Sequence, residues 1–67
     1  MSGRYFDTDQ EIPEAQAASR WFRYAGDHDI DISRAICLWQ DAATPEGESS
    51  RTAVAACGVR IVLLESS

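Results

Sequence analysis

Arg51-Thr52-Ala53-Val54-Ala55-Ala56-Cys57-Gly58-Val59-Arg60-Ile61-Val62-Leu63-Leu64-Glu65 admits two readings, and the fold turns on which is adopted. Val54, Cys57, Ile61 and Leu64 recur at helical spacing. Gly58-Val59-Arg60-Ile61-Val62-Leu63 has instead the β-branched density of a strand. Glycine inside a helix costs about 1 kcal/mol relative to alanine, which counts against the first reading. A strand, however, needs a neighbour to pair with, and only residues 4–8 or 35–39 offer one, whereas a third helix packs directly on two others. The favoured expectation is a mostly α, three-helix arrangement in a single small domain, residues 1–67. The alternative is a small α+β fold with a C-terminal strand at 59–64.

Upstream, two helices are easier to place. Ala15, Ala18, Phe22 and Ala25 fall on one helical face with Trp21 beside it, which predicts a helix over 13–25 with Pro13 at its start and Gly26 as its stop. Thr8 with Glu11 fits a capping box, but a helix from there would carry Pro13 in its interior. A second helix is expected to begin after Asp31 or Ser33 as N-cap and to bury Ile32 or Ile36, Ala35, Trp39 and Ala42. Thr44-Pro45 ends it, and Pro45-Glu46-Gly47-Glu48-Ser49-Ser50 reads as a polar loop, with Ser49 or Ser50 capping the C-terminal segment. Arg4-Tyr5-Phe6 is compatible with a short strand.

Sixty-seven residues, 45% hydrophobic and 25% charged, are enough to fold but leave little surface for an elaborate active site. The formal net charge is −5, from eleven carboxylates against six arginines and no lysine. A chain so balanced lacks the basic face that direct nucleic-acid binding requires. A helix-turn-helix reader is disfavoured for the same reason, since the second helix has only Arg34 and carries Asp31 and Asp41 near its ends. No apolar run reaches the length of a membrane span and no leader pattern opens the sequence, so a cytoplasmic location is expected. Cys37 and Cys57 do not form a Cys-x-x-Cys pair and read as reduced, buried thiols.

The chemistry-bearing patterns are incomplete. Asp27-His28-Asp29-Ile30-Asp31 opens like a calcium loop, yet Ile32 stands where that loop needs glycine and Leu38 where it needs a bidentate glutamate. No metal and no cofactor is expected. His28 is the sole histidine and sits in a turn-like stretch between two aspartates, a poor place for nucleophilic catalysis. Glu11 and Glu14 have no pocket in which their acidity could be tuned. The expectation is a binding protein and not an enzyme.

Carboxylates are unevenly spread: Asp7, Asp9, Glu11 and Glu14; then Asp27, Asp29 and Asp31; then Asp41, Glu46 and Glu48. All fall at predicted helix starts or connections. An acidic surface of this sort attracts a basic one. Trp21 and Tyr24 lie toward the edge of the first helix's apolar face, where one of them would serve as a contact anchor. In size, charge and lack of catalytic apparatus the chain resembles the small acidic inhibitors of bacteriophages and mobile elements, including anti-CRISPR and anti-restriction proteins; no sequence motif carries that resemblance. It implies a protein partner with a basic surface, such as a nucleic-acid-binding defence complex, whose DNA site is occluded by Asp7, Asp9, Glu11, Glu14, Asp27, Asp29 and Asp31. The second reading is an antitoxin-like or adaptor module that uses an apolar helix face, through Trp21, Phe22 or Val62, to cover a partner or form a homodimer.

Overall fold

Gly58 resolves the ambiguous segment. In the computed structural model, which describes residues 3–63, its φ is 92°, a left-handed conformation that glycine adopts without steric cost. The helix before it stops and the chain leaves as a strand. The element order is β1 (Gly3–Asp7), β2 (Gln10–Ile12), α1 (Glu14–Asp27), α2 (Ile32–Ala42), α3 (Glu48–Ala55) and β3 (Val59–Leu63).

The three-helix expectation is thereby corrected to a small α+β fold, in which three helices accompany an antiparallel sheet of order β2-β1-β3. The partner that β3 needs is β1: Tyr5 lies opposite Ile61 on one side and Ile12 on the other, and Phe6 lies opposite Arg60 and Glu11. Once that neighbour exists, the β-branched run no longer has to carry Gly58 inside a helix. Leu64, common to both sequence readings, lies outside the described residues.

β1 and β2 are joined by the two-residue turn Thr8-Asp9, with Thr8 at φ 60°. Thr8 and Glu11 therefore belong to a hairpin and not to a helix cap. α1 begins after Pro13 as expected but runs through Gly26 to Asp27. Its stop is two residues further on, where Asp29 adopts φ 57° and the Ile30 amide donates to the Ala25 carbonyl at 2.9 Å. That bond and the left-handed residue before it are the features of a Schellman ending, with aspartate in the position glycine usually fills. α2 starts as expected at Asp31, whose carboxylate accepts from the Ser33 amide at 3.0 Å. α3 is capped by Gly47 and not by Ser49 or Ser50.

The corner between α2 and α3 is tightly built. Arg51 donates to the Ala42 carbonyl, an acceptor that the end of α2 leaves without an intrahelical partner, and to the carbonyls of Thr44 and Pro45 in the turn that follows, the first of which also accepts from the Gly47 amide. Buried Ser50 donates to Asp41 Oδ2 at 2.7 Å, and Thr44 Oγ1 donates to the Asp41 carbonyl at 2.7 Å. Gly47 sits so close to that carbonyl that any β-carbon there would overlap its oxygen.

Side chains alternate across the sheet. Tyr5, Ile12 and Val59 are buried beneath the helices, while Arg4, Glu11, Arg60 and Val62 face outward and exposed. The core between the layers is thin. Of its nine apolar members, Ala17, Ala25, Ala35 and Ala42 are alanines that let the helices approach, and Trp21, 1% exposed, fills the space among them. The Trp21 indole N–H donates to the Ala35 carbonyl at 3.0 Å, tying α1 to α2.

Two glycine substitutions separate close approach from simple helix propensity. Gly47→Ala must displace the Asp41 carbonyl and is expected to cost about 3 kcal/mol, most of what a domain of this size has. At Gly26, inside α1, an added methyl meets nothing within 4 Å. Gly26→Ala is expected to stabilise by about 0.5–1 kcal/mol. Urea unfolding of both variants checks the pair.

Candidate functional site

The end of the molecule where α1 passes into α2 brings together four of the residues singled out in the sequence. Trp21, Tyr24, Asp29 and Asp31 line one open groove of about 690 Å³, with Ile30, Arg34 and Leu38 beside them and Ala53 and Ala56 across from them. Trp21 forms its floor and presents almost no surface, so its part there is structural. Tyr24 is half-buried, stacked on Trp21 at 5.9 Å and beneath the His28 ring at 3.9 Å between centroids. His28 Nδ1 lies 3.0 Å from the Tyr24 carbonyl.

Asp29 and Asp31 have local duties as well: one occupies the left-handed position ending α1, the other caps α2. Asp27 has none. It stands exposed in the last turn of α1, where the helix dipole disfavours a carboxylate.

The other four acids named from the sequence lie elsewhere. Asp7, at the end of β1, approaches Arg20 of α1 with Oδ2 2.6 Å from Nη1, close in distance but without hydrogen-bond alignment. Glu11 lies 4.0 Å from Arg4, both side chains more than half exposed, a pairing that solvent screens heavily. Asp9 and Glu14 are exposed in the hairpin turn and the first turn of α1. This group sits at the start of α1 and Asp27, Asp29 and Asp31 at its end, about 20 Å apart for 14 residues at about 1.5 Å each. The seven carboxylates therefore do not make one continuous face.

Sequence reasoning missed the apolar surface beside the second acidic group. α2 buries Ala35 and Ala42, and this turns Ile32 (61% exposed) and Ile36 (42% exposed) to solvent. One turn further on, Trp39 is half-buried between Tyr5, stacked at 5.4 Å, and Phe22, tilted at 6.4 Å. Ile32, Ile36, Trp39 and Phe22 thus form a connected stripe. Its signal was available in the composition of α2, where Ile32, Ala35, Ile36, Cys37, Leu38, Trp39 and Ala42 span more of the circumference than one neighbouring layer can cover.

Comparison with known proteins adds no identity. No family model, curated protein or solved structure matches this chain.

Among the described residues, no three His, Cys, Asp or Glu side chains are grouped to hold a metal ion. Cys37 is exposed; Cys57 is half-buried, and burial pushes its thiol above the ordinary value of 9.0 despite the lowering influence of the Val59 amide and Arg20. Burial, and secondarily the Glu14 carboxylate, raises the Tyr5 phenol above 10.0.

These two groups set an alkaline limit. Each ionises more easily in the unfolded chain than in the folded one, so the stability it contributes is complete below its unfolded value and is lost as pH rises through its folded value. The melting temperature is expected to fall from about pH 9 upward, first through Cys57 and then through Tyr5. Tyr5→Phe should flatten the part of the decline above about pH 10. Thermal melts of wild type and Tyr5→Phe across that range check it, and an unchanged slope in the variant would count against the burial of Tyr5.

Proposed function

We propose that this chain is a non-enzymatic binding protein that captures a protein partner with a basic surface through the α1–α2 end. The exposed stripe of Ile32 and Ile36 carries this reading. Apolar side chains of that size, open to solvent beside an anionic cluster, cost solubility unless something covers them. The stripe supplies affinity by burial, and Asp27, Asp29 and Asp31 select cationic partners and speed encounter.

The biological action that fits is occlusion. A net charge of −5 supports attraction to surfaces that otherwise hold nucleic acid. A small domain seated on such a surface blocks it sterically, as in the phage-encoded inhibitors that the chain resembles in size and charge. The separation of the acids along α1 favours one contact end over mimicry spread across all seven carboxylates, so Asp7, Asp9, Glu11 and Glu14 contribute long-range attraction and not contacts. Tyr24, half-buried in the groove, is the aromatic residue placed to meet the partner at its edge.

The test is capture from a bacterial host lysate with tagged wild type, Ile32→Ser/Ile36→Ser, and Asp27→Asn/Asp29→Asn/Asp31→Asn. Because Ile32 and Ile36 are exposed, their replacement should leave the melting temperature within the change expected of about 0.5 kcal/mol. The expected result is capture of a basic nucleic-acid-binding protein that is displaced by added DNA and weakened by salt. Capture should be lost with the isoleucine variant and reduced with the asparagine variant. Equal capture by all three proteins, or binding indifferent to salt and DNA, would contradict the proposal.

A further inference from the structure

The sheet has two edges, and they are not alike. β2 is three residues long, carries Glu11 and is followed at once by Pro13, features that discourage a further strand from adding there. β3 has none of them. Its five residues, Val59-Arg60-Ile61-Val62-Leu63, pair with β1 in unbroken register, without proline, lysine or bulge. An edge so regular is a template for another strand unless it is already covered.

The direction of its backbone groups follows from the hairpin. A two-residue turn makes Asp7 and Gln10 a hydrogen-bonded pair, so Asp7, Tyr5 and Gly3 direct their N–H and C=O toward β2. Phe6 and Arg4 direct theirs toward β3, where they meet Arg60 and Val62. The groups of Val59, Ile61 and Leu63 therefore point away from β1, the Val59 N–H toward the Cys57 thiol and those of Ile61 and Leu63 toward the open edge. Among the described residues, no backbone or side-chain hydrogen bond outside the β1 ladder involves Ile61 or Leu63.

We infer that β3 is a homodimer interface, in which two copies pair their β3 strands antiparallel about Ile61 to make one six-stranded sheet. The strand is self-complementary in that register. Ile61 faces Ile61 of the second copy as a hydrogen-bonded pair, Val59 faces its Leu63, and Arg60 faces its Val62. The half-buried Ile61 and Leu63 side chains gain cover, and Val62, 39% exposed, packs along the aliphatic stem of Arg60. Charge also permits it. Arg60 is the only ionised residue of β3 and meets a neutral one, while Asp27 ends α1 and Asp29 and Asp31 lie in the α1–α2 connection, outside the strand. An alanine-rich core in so short a chain gives the further burial a clear use. This interface is independent of the partner-capture reading, since it uses neither Ile32 and Ile36 nor the acidic groups.

A charge swap tests it. Val62→Lys changes an exposed position on the outer face and puts a lysine opposite Arg60 of the second copy, twice by symmetry. Adding Arg60→Glu converts both contacts to opposite charges. Sedimentation equilibrium of folded protein, checked by circular dichroism, is expected to show a wild-type dimer, at least about tenfold weaker association for Val62→Lys, and recovery in the double variant. Hydrogen exchange of the wild type reads the same interface without mutation: the Ile61 and Leu63 amides should gain protection as concentration rises, while Arg60 and Val62 stay protected throughout. A wild type that remains monomeric to about 1 mM, a dimer unaffected by Val62→Lys, or exchange at Ile61 independent of concentration would overturn the inference.

Discussion

The indole of Trp21 is the piece on which the rest of this small fold depends. Four buried alanines bring α1 and α2 close but leave little apolar volume of their own, and the Trp21 ring supplies much of what is missing. Its N–H would carry a desolvation cost in such a place if unpaired. The Ala35 carbonyl at 3.0 Å removes that cost and at the same time fixes which part of α2 faces α1. β1 and β3 then close the core from the other side through Tyr5 and Val59.

The same constraint produces the candidate binding surface. A helix held by its alanine face turns its larger apolar residues elsewhere, and in α2 these are Ile32 and Ile36. The adjoining turn is built from Asp29 in a left-handed conformation and Asp31 as a cap, so acid and exposed apolar surface arrive together at one end of the molecule. The thin core and the exposed stripe are in this sense consequences of one arrangement. A core residue that were larger at position 35 would push α2 outward and reorient the stripe.

Two helix starts are legible in the sequence while the favoured fold class is not, and the failures have physical causes. The start of α1 at Pro13 and the Asp31 cap follow from local chemistry alone, which needs no knowledge of tertiary contacts. Gly26 misleads because a glycine can lie inside a helix when Asp29, three residues on, supplies the left-handed stop. The C-terminal strand is a non-local matter: residues 59–63 become a strand because residues 3–7 pair with them, and local periodicity does not report that. The end of the molecule that carries Tyr24, Asp29 and Asp31 is anticipated by the clustering of aspartates. The isoleucine stripe is not, because deciding which side of α2 is buried required knowing that alanines, and not isoleucines, face Trp21.

Proton exchange at the two tryptophan side chains tests whether the Trp21 indole holds the core together. Trp21 is enclosed and donates to Ala35, whereas Trp39 is half-buried in the outer stripe. In a two-dimensional NMR experiment, with Trp39→Phe used for assignment, the Trp21 indole proton is expected to exchange only through global unfolding and the Trp39 proton far faster. Equal, rapid exchange at both indoles would contradict the account.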